Sequence, residues 1–134
     1  MFKHCNIKEI NLSNFDTSKV TRMKSMFDNC VNLEKITFGN INTSLVNDME
    51  RFCSDCKSLK SIDLSKFDTS EVTTMREMFA RCESIKIIDA SSFRTPKVVD
   101  MFDLFAYSSQ LITKCIKFRY FKCSNFPRYV FQLH

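Results

Sequence analysis

The stretch "LKSIDLSKFDTSEVTTMREMFARC", residues 59–82, carries two hydrophobic periods in succession. Ile62, Leu64 and Phe67 fall on a short alternation, "SIDLSKF", which suits a strand with one buried face. Asp68, Thr69 and Ser70 follow. Their side-chain oxygens can accept hydrogen bonds from the free N–H groups at a helix start. Val72, Met75, Met78, Phe79 and Cys82 then step by 3, 3, 1 and 3, which places them on one face of a three-turn helix. A short turn, "ES" at 83–84, leads to Ile85. The stretch therefore predicts strand, loop, helix and turn in that order.

The same text recurs along the chain. "FDTSKVTRMKSMF" (15–27) and "FDTSEVTTMREMF" (67–79) are nearly identical and 52 residues apart. Ile10, Ile36, Ile62 and Ile88 are spaced by 26, as are Thr17, Thr43, Thr69 and Thr95. Val20, Val46, Val72 and Val98 keep the step of 26, and so do Met23, Met49, Met75 and Met101. The second unit, "ITFGNINTSLVNDMERFCSDC" (36–56), is degenerate but holds the register. A period kept without insertions is the signature of stacked repeats. The expected fold class is α/β: a leucine-rich-repeat-like solenoid of about four strand–loop–helix coils, with a parallel sheet on one side and helices on the other. The coils fall at about 10–35, 36–61, 62–87 and 88–113, after a partial coil at 1–9, so that 1–112 form the solenoid. One coil cannot cover its roughly eight inward apolar side chains, so neighbours must do so.

Composition bounds the function. Apolar residues are 44% and charged residues 26% of 134, which suits a folded chain rather than a disordered one. The single glycine leaves no Gly-rich phosphate loop. No apolar run approaches the ~20 residues of a membrane helix, and "MFKHCNIKEINL" lacks the apolar core of a signal peptide. The net charge of +5 resides after residue 110, in Lys114, Lys117, Arg119, Lys122 and Arg128. The body balances to zero and does not attract nucleic acid by charge.

The repeat resembles that of the BspA-like leucine-rich-repeat surface proteins, a family also known from mycoplasma lipoproteins. Its motif, L-x-x-L-D-L-S-x-F-D-T-S-x-V-T-x-M-x-x-M-F-x-x-C, is matched nearly position for position at 59–82. It is matched almost as well by "INLSNFDTSKVTRMKSMFDNC" at 10–30, and the likeness extends over roughly 1–112. The resemblance implies a cell-surface or secreted interaction protein, often an adhesin, with no catalytic residues and no cofactor. Without an export signal in this chain, a cytoplasmic interaction scaffold or a truncated remnant of a longer surface protein is the alternative.

The two ends depart from the motif. Met1, Phe2 and Cys5 fall as Met26, Phe27 and Cys30 do, so the chain starts midway through a coil. The fourth unit decays, with Ala90 for the strand Leu, Pro96 near the cap and Ser108 for the Cys. The tail at 113–134 is basic and aromatic. It reads as a cap, with Ile116, Phe118 and Tyr120 as a last strand. Interleaved Lys117, Arg119, Lys122 and Arg128 would also suit an anionic membrane surface or nucleic acid, a third reading.

Candidate chemistry is sparse. Cys30, Cys56 and Cys82 recur at helix ends. Helices pack ~8–10 Å apart, beyond the ~7 Å between Cα atoms that a disulfide spans, so they read as small buried hydrophobes. "CSDC" at 53–56 has metal-ligand or redox spacing. Cys53 nevertheless stands where other units have Phe27, Phe79 and Phe105, and no metal site is expected. The methionines read as core, and the threonine row as helix caps or bonds between coils. "NLS" at Asn11 and "NTS" at Asn42 match the glycosylation pattern. No nucleophile stands beside a base, so no catalytic residues are expected and the chain reads as non-enzymatic. The expected binding face is the outward strand row of Asn11, Thr37, Asp63 and Asp89, with Glu9, Lys35 and Ser61 beside it. Its partner would be a protein or a surface glycan.

Overall fold

The computed structural model describes residues 1–111. The basic tail, with its expected cap strand and its Lys117, Arg119, Lys122 and Arg128, lies outside the described residues. Four three-residue strands recur at the repeat step: β1 (Glu9–Asn11), β2 (Lys35–Thr37), β3 (Ser61–Asp63) and β4 (Ile87–Asp89). In each, the middle isoleucine turns inward and its neighbours point out. The strands pair in parallel and in register, Ile10 against Ile36 and Ile62 against Ile88.

The structure overturns the strand–helix solenoid expected from the sequence. Among the described residues there is no helix. The strands make two separate two-stranded parallel sheets, β1–β2 and β3–β4, rather than one continuous sheet.

The hydrogen bonds give the reason. After the D-T-S segment one turn closes, Val72 N–H to the Thr69 carbonyl at 3.1 Å, and the chain then extends. Arg22, Asp48, Thr74 and Asp100 form a line of parallel bridges where the second helical turn should begin. From there alternate amides leave the unit. Met75, Glu77, Phe79 and Arg81 donate to the carbonyls of Asp100, Phe102, Leu104 and Ala106 in the next unit. Between them Met78 and Ala80 close local turns on Met75 and Glu77. An α-helix needs every amide to bond four residues back, so the two patterns exclude each other. The turns require left-handed backbone at Ser25, Asn29, Arg51, Asp55, Glu77, Arg81, Asp103 and Tyr107, all with φ between 51° and 60°. These positions recur at the repeat step, and all are non-glycine.

The apolar spacing still selects the inward face. Ile62, Leu64, Phe67, Val72, Met75, Met78, Phe79 and Cys82 are all buried. Their core is aromatic, with Phe2 stacked on Phe27 at 5.7 Å and Phe27 edge-on to Phe52 at 5.3 Å. In the second unit a cysteine, Cys53, holds the usual phenylalanine position. Two rings, Phe38 and Phe52, stand 6.2 Å apart in the same unit, at the positions of Leu64 and Met78 in the third.

The threonine row binds unit to unit rather than capping helices. Thr17 Oγ1 accepts from the Asn42 amide at 2.8 Å. Thr43 accepts from Asp68 N–H and donates to its carbonyl, both at 2.8 Å. Thr69 does the same with Arg94, at 2.9 and 2.6 Å. The neighbouring Asp16, Asn42 and Asp68 close Asx turns on the amides of Ser18, Ser44 and Ser70.

Candidate functional site

The outward strand residues form two parallel rows. Glu9 lies beside Lys35 and Asn11 beside Thr37 on one sheet. Ser61 lies beside Ile87, and Asp63 beside Asp89, on the other. Glu9, Asn11, Lys35, Ser61 and Asp63 are exposed, whereas Thr37 and Asp89 are half-buried. The seven residues read from sequence therefore share a face, but in two groups, because β2 and β3 do not hydrogen-bond.

A cleft of about 280 Å³ opens where the ladder breaks. Ile36, Thr37, Phe38, Gly39 and Ile41 line one side, and Asp63, Lys66 and Phe67 the other. Lys66 spans the mouth, its Nζ donating to the Gly39 carbonyl at 3.3 Å and to Asn40 Oδ1 at 3.4 Å. Phe38 and Phe67 meet edge-to-face at 4.9 Å in its wall.

The polar residues of the row have a second task. Asn11, Asp63 and Asp89 each accept, through Oδ1, the amide two residues on: Ser13, Ser65 and Ser91, at 2.9, 2.9 and 3.0 Å. Those bonds fix the turn after each strand. The hydrogen bonds from Ser65, aided by the charge of Lys66, hold the Asp63 carboxyl below its usual value. In the second unit Thr37 has no side-chain carboxylate or amide oxygen to accept that amide, and Gly39 stands in the turn with φ of 63°. The cleft lies beside this substituted turn.

Several other charged groups pair with one another, although Arg51 Nε is buried without a hydrogen-bond partner among the described residues. Asp28, with a side chain 2% exposed, stands 3.1 Å from both Lys3 Nζ and Arg51 Nη2. Arg81 holds Asp55 at 3.1 Å and Glu77 at 3.6 Å. Among the described residues no three His, Cys, Asp or Glu side chains are placed to hold a metal. Cys53 and Cys56, the "CSDC" pair, are buried free thiols.

Sequence reasoning missed Ile87, Gly39 and Lys66. Ile87 was within reach, since it stands one repeat step after Ser61 and is 47% exposed. Gly39 and Lys66 join the site only because the ladder breaks there, and the repeat gives no sign of that.

Fold and site define a protein of repeated, hydrogen-bonded units that presents rows of strand side chains to solvent. The chain belongs to the family described as "Mycoplasma protein of unknown function, DUF285", which matches residues 1–118. No curated protein and no solved structure matches it.

Proposed function

We propose that the chain is a non-catalytic binding module that engages a protein or a surface glycan through the outward row of β1–β4. One observation carries this reading: polar side chains stand at fixed register on a solvent-facing ladder that opens into a cleft at its middle. The cleft, at about 280 Å³, is at the small end for ligand pockets. It suits one sugar ring or one inserted side chain rather than a large cofactor. Asp63 and Lys66 supply an acceptor and a donor at its mouth. The motif's resemblance to BspA-like surface proteins supports an adhesin-type role, with display at the cell surface or secretion. An intracellular scaffold would use the same row.

The test must remove charge without removing the turns. Asn11 already makes the turn bond with an amide side chain, so Asp63→Asn together with Asp89→Asn keeps the acceptor and deletes the carboxylates. The full chain and this double variant would be applied to glycan arrays and to immobilised extracellular proteins. The expected outcome is at least tenfold weaker binding by the variant, a loss of about 1.4 kcal/mol, with the variant still folding cooperatively. Equal binding by both proteins would remove the row from the reading. Protease treatment of intact cells separates the two locations: cleavage supports surface display, and protection supports the scaffold.

A further inference from the structure

We infer that Cys5 and Cys30 are a modification site, a reversible disulfide that staples residues 1–8 to the first complete unit. Their sulfurs lie 2.7 Å apart, approaching the ~2.05 Å of the bond itself. The backbone sets this geometry. Phe2 and His4 donate to the Met26 and Asp28 carbonyls, so the strip containing Cys5 runs alongside the strip containing Cys30. Strands so paired lie ~4.7–4.9 Å apart, inside the Cα range a disulfide needs. The helix-packing distance that argued against bridging does not apply, because no helices form here.

The pair differs from the rest of its row. Cys30, Cys56 and Cys82 each donate a thiol hydrogen to a carbonyl of the preceding unit: Phe2 at 2.9 Å, Phe27 at 3.1 Å and Cys53 at 3.0 Å. Ser108 continues the row and donates to Phe79 at 2.7 Å. Among the described cysteines, Cys5 is the one that is not buried. Burial and the hydrogen bond with Cys5 push the Cys30 thiol up to about 12. Cys5 is therefore the sulfur that meets an oxidant first.

The oxidant is a small disulfide of the glutathione type. Cys5, as thiolate, attacks one of its sulfurs and expels one thiolate, leaving a mixed disulfide. Cys30 then loses its proton and attacks the Cys5 sulfur, expelling the second thiolate. Two protein thiols become one disulfide, one small disulfide becomes two thiols, and the two protons pass to the expelled thiolates.

The full chain would be incubated with oxidised glutathione, alkylated and digested with trypsin without reduction. The expected product links peptide 4–8 to peptide 25–35, two of the seven cysteines escape alkylation, and dithiothreitol restores both. The thermal midpoint rises by more than about 5 °C on oxidation. Cys5→Ser abolishes the bridge and the rise. Cys30→Ser does likewise and still folds, since Ser108 fills the same place in the row. A bridge between other cysteines, a glutathione left on Cys5, or a midpoint unmoved by the bridge would each overturn the inference.

Discussion

Thr69 is fully buried, and its hydroxyl works in both directions. It accepts from the Arg94 amide and donates to the Arg94 carbonyl. Thr69→Val keeps the shape and leaves both backbone groups without that partner. It should cost about 2–3 kcal/mol in urea denaturation, while Thr69→Ser should cost less than about 1.5. Thr17 makes one such bond at the margin of the core, so Thr17→Val should cost about half as much. Equal costs at the two sites would mean that the bonds between units do not set stability. The threonine row was legible in the sequence as a row. Its two uses, capping a helix or bonding the next unit, were not separable there, because both place a hydroxyl beside a free amide.

At the scale of the element, the inward face was readable and the backbone that presents it was not. Val72, Met75, Met78, Phe79 and Cys82 occupy offsets that a helix and a succession of three-residue turns share. Left-handed residues such as Ser25, Glu77 and Arg81 decide between them, and no glycine marks those places. The strands were legible because alternation around one isoleucine has no helical counterpart. The gap between β2 and β3 was hidden, since the repeat runs through it unbroken. Gly39 is the residue to test there. A Cβ on Gly39 would lie 2.7 Å from Ser13 Cα, too close for any contact, and the positive φ adds strain. Gly39→Ala should therefore destabilise by more than about 2 kcal/mol, read from the denaturation midpoint. A neutral result would mean that the second unit's turn can move away from Ser13.

Over the whole molecule, stability should fall on both sides of neutral pH. Hydrogen bonds from Ser65 and Ser70 hold the Asp63 and Asp68 carboxyls below their usual values. Their contribution is complete above the unfolded value of about 3.9 and is lost as pH drops through the lower folded value. Burial pushes the Cys30, Cys53 and Cys82 thiols upward. Their contribution is complete below the unfolded value of about 8.5 and is lost as pH rises toward the folded values. Denaturation midpoints under reducing conditions should form a plateau from about pH 5 to 8 and decline at either end. Asp63→Asn with Asp68→Asn should flatten the acid limb, and Cys82→Ala the alkaline limb. Cys30 and Cys53 still titrate after Cys82→Ala, so a limb left wholly unchanged by its substitutions, not one merely reduced, would place the titrating groups elsewhere.

The register of the units also bears on the gene. Glu9 pairs with Lys35 at a separation of 26, but His4 bonds Asn29 at a separation of 25. The first turn is thus one residue shorter than the later ones, the step falling between Cys5, which meets Cys30 at a separation of 25, and Asn6, which meets Asn32 at 26, with the strand that follows still in phase. Within the strips that donate to the next unit, a one-codon slip would shift every later amide off its carbonyl and turn the buried face outward. Recombination between the coding copies of "FDTSKVTRMKSMF" and "FDTSEVTTMREMF" removes or adds 52 codons, a whole number of units. Such an exchange can change the length of the ladder in one step while each surviving rung keeps its inside and its outside.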